Sequence, residues 1–298
     1  MEFHQLKTFY YVATHLNFSK AAEQLSLSQP AVSRQIEALE RYFGLPLFYR
    51  SKKRVELTDG GRKLMTYAVQ IISLSNQAEK ALVSLKDLES GELTIGCGTT
   101  IGDFVLSSLV IEFQKKFPNI KVNLINEKTS YIIEKLNESK IDLAIVGKKF
   151  NDSRFTFQTL FQDKIGIYCS IDLKETYSDK NTLDALRNQT FFMREEGSHT
   201  RECVESFLSE EDRSLHTFYE LGTNEAIKQA ILNKHGIGFL SSLVVRTEVK
   251  HHLMYKLPIE KECKREFSVI SPKGKYISPI VLIFTSFLMK TIKKYTVV

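Results

Sequence analysis

The sequence predicts a multi-domain chain: a small all-α head, one long helix, and an α/β body of two lobes. Three observations carry this expectation. Apolar residues recur at helical spacing through residues 1–58, and again along a stretch from Thr58 to Leu88 that holds no proline. From Leu93 onward, short apolar runs alternate with amphipathic ones, as strands alternating with helices do. At 298 residues the chain is long enough for two or three domains, and 43% hydrophobic with 26% charged residues is the composition of a folded protein.

No apolar run approaches the roughly eighteen residues of a membrane span. Met1 to Lys7 lacks the order of a signal peptide, so a cytoplasmic location is expected. Cys97, Cys169, Cys203 and Cys263 lie far apart with no CxxC pair, which argues against a disulfide framework or a structural zinc site. Charge is uneven: residues 1–65 hold 10 Lys/Arg against 6 Asp/Glu, most of the net +6. A basic head on a near-neutral body permits contact with a polyanion.

Phe9, Ala13 and Leu16 mark a first helix, and Ser19 is positioned to cap a second over Lys20 to Leu25. Ser26-Leu27-Ser28 makes a turn, and Ser28 caps a third helix with Pro30 in its first turn. In that helix Val32, Ile36, Leu39 and Phe43 form one apolar stripe. Gln29, Ser33, Arg34 and Glu37 occupy its other side. Short donors and acceptors with an arginine at a helix N-terminal end suit base edges in a major groove. Gly44 ends the helix, and Arg50 to Arg54 form the basic tip of a hairpin completed by Val55 to Thr58. The order is helix, helix-turn-helix, basic wing.

Phe18-Ser19-Lys20-Ala21-Ala22-Glu23-Gln24-Leu25 and Ser28-Gln29-Pro30-Ala31-Val32-Ser33-Arg34-Gln35-Ile36 resemble the N-terminal signature of the LysR-type transcriptional regulators. Phe43-Gly44-Leu45-Pro46-Leu47-Phe48 and Leu57-Thr58-Asp59-Gly60-Gly61 resemble the same family. The resemblance implies duplex DNA as partner, with Gln29, Pro30, Ser33 and Arg34 at the major groove, Arg50 and Lys53 at the wing and backbone, and Ser28 also among the DNA-binding residues.

Taking Leu64 as heptad position a gives Leu64, Ile71, Ala78 and Leu85, with Tyr67, Leu74, Ala81 and Leu88 at d. All are apolar or small, so the helix carries a coiled-coil seam that must pack on something. Either it forms the core of one domain or it pairs with a copy of itself. The family resemblance favours a homodimer or homotetramer held by Leu64, Ile71, Leu74 and Leu85. Ser90-Gly91 breaks the helix. The expected divisions are therefore 1–58 for the head, 59–90 for the linker and 91–298 for the body.

In the body, Leu93–Cys97, Ile120–Ile125 and Asp142–Val146 read as strands, with helices at Asp103–Phe117 and Tyr131–Leu136. A second lobe starts near Asp163 with Ile165–Cys169 as its strand. The chain returns near Phe267–Ser271 and closes with a helix over Pro279–Tyr295. Lobe I thus covers about 91–162 and 267–298, and lobe II about 163–266. The alternation implies a mostly parallel sheet, and a chain that crosses twice leaves a cleft where small ligands bind. This is the two-lobed architecture of periplasmic binding proteins, which the family resemblance also implies.

Helices expected to open at Thr99-Thr100, Ser198-His199-Thr200-Arg201 and Thr223-Asn224 point at that cleft. Helix N-termini offer free N–H groups and a positive dipole end, which suit anions. Thr99, Thr100, Thr129, Ser198, Thr200, Arg201, Thr223 and Asn224 are the candidate effector ligands, although each hydroxyl also reads as a simple N-cap. These segments resemble the branch of the family that regulates sulfur or carbon assimilation. Two positions depart from its pattern: His199 stands where a small residue is usual, and Glu196 where a neutral one is common.

Nothing resembles a nucleophile elbow, a phosphate loop, a dinucleotide fingerprint or a metal cluster, so neither an enzyme nor a cofactor is expected. Cys97 reads as a small apolar strand residue rather than a redox sensor. The expected function is sequence-specific transcriptional regulation, controlled by a small anionic metabolite, with RNA polymerase as a further partner at the promoter. A solute-binding protein or an enzyme on the same two-lobed architecture is the alternative. The basic winged head and the lack of an acid–base or nucleophile constellation weigh against it.

Overall fold

The structure is a computed structural model that describes residues 1–50, 54–84, 90–147, 150, 152–210, 212, 217–274 and 277–296. Contacts divide it into two units, Met1–Leu82 and Val83–Val298. No described helix is long and apolar enough to cross a membrane.

In the first unit, α1 (Phe3–His15), α2 (Phe18–Leu25) and α3 (Gln29–Phe43) precede a hairpin of β1 (Phe48–Arg50) and β2 (Val55–Leu57). Leu6, Phe9, Val12, Ala21, Val32, Ile36 and Leu39 are almost fully buried and make one core. Three expected details differ. Leu16 is not part of the α1 stripe but its left-handed C-cap, 47% exposed. Asn17 rather than Ser19 caps α2, because its side chain accepts from the Ser19 and Lys20 N–H groups and helical backbone begins at Phe18. Phe43 falls past the last turn that faces the core and is 39% exposed.

Ser28 caps α3 as expected, accepting from Ala31 N at 3.4 Å, and Gly44 ends it at φ +68°, a conformation that favours glycine. The Glu40 carboxylate fixes the hairpin to α3 by accepting from Leu47 N (2.8 Å) and Phe48 N (3.2 Å). The long helix α4 runs over Asp59–Ser84. Its first turns pack Leu64, Met65 and Ala68 onto the head core. A side chain at Gly61 would run into the Leu47 carbonyl, so glycine lets α4 start against the hairpin.

The second unit holds one mixed sheet. In lobe I, β3 (Gly91–Cys97) lies between β4 (Ile120–Asn126) and β5 (Leu143–Val146), all parallel. In lobe II, β7 (Thr190–Arg194) lies between β8 (Thr217–Leu221) and β9 (Ile237–Ser241), again parallel. The expectation of a mostly parallel sheet holds within each lobe but not across the body. β6 (Phe155–Ser170) leaves lobe I and β11 (Cys263–Pro272) returns, so the two crossing strands are necessarily antiparallel to each other. They also pair antiparallel with β9 and β5, and β10 (Met254–Lys256) adds to β6. The strand expected at Ile165–Cys169 is thus the second half of a 16-residue strand spanning about 50 Å.

The helix expected from Asp103 begins earlier, at Thr99. It passes through a π-helical stretch, Gly102–Leu106, before a regular α-helix over Ser107–Lys116. The last helix breaks after Thr291 and resumes at Lys293–Thr296.

β6 and β11 meet at a charged pair. Asp163 and Arg265 are register partners, with side chains 0% and 3% exposed, and Arg265 Nε donates to Asp163 Oδ2 at 2.8 Å. Ser241 from β9 also donates to Asp163, at 2.8 Å. Asp163→Ala would leave the guanidinium uncompensated in the interior, at an expected cost of about 3–5 kcal/mol. The urea midpoint of the body's unfolding transition reads this loss, and an unchanged midpoint would show that the pair contributes no net stability.

Candidate functional site

The head presents the N-terminal face of α3. Ser28, Gln29, Pro30 and Arg34 are exposed and Ser33 is half-buried. Gln29 Nε2 donates to Ser33 Oγ at 3.2 Å, which aligns an amide and a hydroxyl one helical turn apart. Arg34 has no hydrogen-bond or ionic partner among the described residues, so its fork of donors is available. The backbone of Arg50 lies in β1; its side chain and all of Lys53 lie outside what the structure describes.

Along α4, Leu64 turns onto the head core, whereas Tyr67 (55%), Ile71 (39%) and Leu74 (66%) are exposed in a column. Leu85 lies outside the described residues. Among the described residues of this unit, the seam from Tyr67 to Leu74 covers nothing.

In the body, a small cleft between the lobes has about 30 Å³ of internal space. Lobe I contributes Gly98, Thr99 and Thr100 at one helix start, Lys128 and Thr129 at another, and Gly147 after β5. Lobe II contributes Arg194 at the end of β7 with Glu195 after it, and Ser198, His199 and Thr200 at the start of the helix His199–Phe207. β11 adds Arg265 and Phe267. The first N–H groups of helical segments from opposite lobes therefore line one site, each without an intrahelical partner.

Arg265 is its central cation. Nε is taken by Asp163, Nη1 donates to Thr200 Oγ1 at 2.8 Å, and buried Nη2 has no partner among the described residues. A buried, unpaired guanidinium nitrogen is costly unless something accepts from it. Arg194 differs. Its Nε and Nη2 are occupied by Glu195 at 2.7 and 2.9 Å, and Nη1 donates to Asn224 Oδ1 at 3.0 Å. Both Nη atoms also lie 3.5 Å from Thr99 Oγ1 across the cleft.

Two more bonds join the lobes. Lys128 Nζ donates to Glu196 O at 3.1 Å, and His199 Nε2 meets Gly147 O at 2.6 Å. Burial holds the His199 pKa below the ordinary histidine range, with Arg265 pushing the same way against Glu202 and the Gly147 carbonyl. Cys97, behind the Thr99 helix, is pushed up to about 12 by burial with Asp103 beside it, so it is a thiol and not a reactive thiolate at neutral pH.

Of the expected effector ligands, Thr99, Thr100, Thr129, Ser198 and Thr200 line the cleft. Ser198 makes no side-chain cap bond, which leaves its hydroxyl for other partners. The other three expected ligands do not line it. Arg201 is held by Glu205 (2.7 Å) and Glu220, Thr223 caps its own helix through Ala226 N (3.0 Å), and Asn224 is buried as the support of Arg194. Arg194, Lys128 and Arg265 are additions that the sequence reading lacks. The strand alternation around Arg265 held a signal: Cys263, Arg265 and Phe267 share a face with apolar neighbours, while Lys264 points out.

The family described as "Bacterial regulatory helix-turn-helix protein, lysR family" matches residues 3–62, and "LysR substrate binding domain" matches residues 86–293. The chain is 30% identical to the RuBisCO operon transcriptional regulator of Allochromatium vinosum, across 96% of this chain and 94% of that one. It is 28% identical to the Synechocystis PCC6803 CcmR regulatory domain in complex with 2-PG, with a TM-score of 0.61 over 68% of this chain and 98% of that one. A full-length OxyR variant from Pseudomonas aeruginosa, 21% identical, shares the fold with a TM-score of 0.74 over 98% of this chain and 95% of that one.

A histidine whose folded pKa lies below its unfolded one contributes stability above the unfolded value, and loses it as pH falls through the folded value. His199→Gln keeps a donor for Gly147 but removes the titration. The wild-type melting temperature is therefore expected to fall more steeply than that of His199→Gln below about pH 6.5. Parallel profiles for the two proteins would contradict the buried, neutral imidazole.

Proposed function

The chain belongs to the LysR family of bacterial regulatory helix-turn-helix proteins, and we propose that its inter-lobe cleft takes a small anionic metabolite that controls how the head holds DNA. It is a DNA-binding transcriptional regulator and not an enzyme, as its relatives are. The observation that carries the anion reading is the buried, unpartnered Nη2 of Arg265, a residue that lines a cleft also lined by helix starts from both lobes. The hydroxyls of Thr99, Thr100, Thr129, Ser198 and Thr200 add donors that satisfy carboxylate or phosphate oxygens. The CcmR regulatory domain, solved with 2-PG, supports the same class of ligand. The cleft's size favours an anion of few heavy atoms.

At the DNA, we assign Gln29, Pro30, Ser33 and Arg34 to the major groove, Ser28 to the helix entry, and Arg50 with Lys53 to the wing and phosphates. Ile71 and Leu74, exposed on α4, pair with a second copy, so a dimer presents two recognition helices to an imperfect inverted repeat. The regulator acts at a promoter in the cytoplasm, where RNA polymerase is its further partner.

Arg34→Ala is expected to cost about 1–3 kcal/mol in operator binding and to blur sequence preference. Fluorescence anisotropy against operator and random duplexes reads both, and an unchanged preference would remove Arg34 from the base contacts. The double variant Thr100→Ala/Ser198→Ala is expected to weaken binding of small carboxylates and phosphates at least tenfold, with ligand-free DNA affinity retained. Calorimetry that finds only uncharged or cationic ligands, or equal binding by the variant, would contradict the anion cleft.

A further inference from the structure

Among the described residues that line the inter-lobe cleft there is one histidine, His199, and the structure makes room for it. A Cβ at Gly147 would lie 3.1 Å from His199 Cδ2 and 3.2 Å from Arg265 Cδ, so the imidazole and the arginine stem close around the same glycine. Each ring nitrogen faces an acceptor. Nε2 lies 2.6 Å from the Gly147 carbonyl oxygen in lobe I, and Nδ1 lies 3.2 Å from Glu202 Oε2 on its own helix. A neutral imidazole carries one N–H and donates to only one of them; the other nitrogen then turns a lone pair toward an oxygen. The imidazolium donates to both.

The groups around the ring set which form is held. Its own helix supplies Glu202 and the Cys203 thiol, 3.5 Å from Nε2. β11 supplies Arg265, whose other face is paired with Asp163 of β6 at 2.8 Å. Cys263, on the same face of β11, is pushed up to about 12 by burial and stays a thiol. Glu127 and Lys128 after β4 line the same cleft, as does Arg194 at the end of β7, which is paired with Glu195. Burial and the Arg265 charge hold the ring neutral against Glu202 and the Gly147 carbonyl, and the positive end of its helix acts in the same direction. An anion beside Arg265 and the helix start cancels both charges that oppose protonation, and burial alone is left to oppose it.

We propose that His199 makes effector binding proton-linked: a small anion entering the cleft loads a proton from solvent onto Nδ1, and affinity rises as pH falls. The proposal rests on the anion reading of the cleft. The new N–H donates to Glu202, the Nε2 N–H remains on the Gly147 oxygen across the lobes, and the ring's charge faces the anion. Linkage makes the effect reciprocal, so whatever the anion adds to proton affinity the proton adds to anion affinity. His199 is thereby a positioning residue that selects for charge on the ligand.

Calorimetric titration of the full chain with sulfate and with oxalate, at about pH 6 and about pH 8, tests this, because neither probe changes its own charge over that interval. Each titration is repeated in two buffers of different ionisation heat, which reads proton uptake directly. The wild type is expected to bind at least threefold more tightly at the lower pH and to take up a fraction of one proton per anion. His199→Gln keeps a donor for Gly147 and is expected to show neither effect. Glu202→Gln keeps the imidazole but removes its charged acceptor, and is expected to take up less than the wild type; it carries the test if His199→Gln does not fold. Binding by the wild type that is independent of pH would overturn the proposal and leave the anion cleft standing. So would uptake that persists in His199→Gln or is unchanged in Glu202→Gln. If neither probe binds at either pH, the anion reading fails and the proposal with it.

Discussion

The body depends on where the buried Arg265 guanidinium places its donors. Asp163 holds one edge of it on the crossing strand β6, which fixes β11 against β6 at the point where the two lobes join. Thr200 takes the second donor and ties the same group to the first turn of the lobe II helix. Two of the three nitrogens are thereby used to build the fold, and the third is buried with no partner among the described residues. A lysine would not do the same, because a single ammonium lacks the planar fork that bonds both neighbours and still presents a free edge. The cost of a buried ion pair is tolerated here because Ser241 completes the solvation of Asp163.

The rest of the cleft follows from that anchor. Arg194 carries the same charge but is neutralised by Glu195 and braced by Asn224, so it shapes the wall and reaches Thr99 across the gap. His199 spans the gap as well, through the Gly147 carbonyl, and burial keeps it neutral. The lining has three cations, Lys128, Arg194 and Arg265, against Glu127 and Glu195. With little net charge, selection rests on directed donors, in keeping with helix starts and hydroxyls rather than with a lysine cluster.

Much of this is legible in the sequence, and the limits have physical causes. The head can be read because each device is local: Ser28 as cap, Gly44 as stop, Val32, Ile36 and Leu39 as a stripe. Asn17 and Ser19 compete for the same cap, and only backbone geometry decides between them. Half of β6 escapes a sequence reading because Gln158, Thr159 and Gln162 interrupt its apolar pattern; all three are exposed, and their pairing with β11 needs no burial of the side chains. In the cleft, hydroxyls next to helix starts can be found because capping is local. Arg201, equally close in sequence, misleads, since Glu205 one turn on and Glu220 on β8 compete for it. Arg265 lies 65 positions from Thr200, and its role arises from tertiary pairing that no short motif encodes.

The effector's charge is expected to arrive at the unpartnered nitrogen of Arg265. A crystal structure of the full chain with a small carboxylate or phosphate ligand bound tests this directly. A ligand oxygen about 2.7–3.1 Å from Arg265 Nη2, with the Asp163 and Thr200 bonds kept, is the predicted arrangement. A ligand seated in the cleft that leaves Nη2 untouched and bonds to Arg194 or Lys128 instead would contradict it.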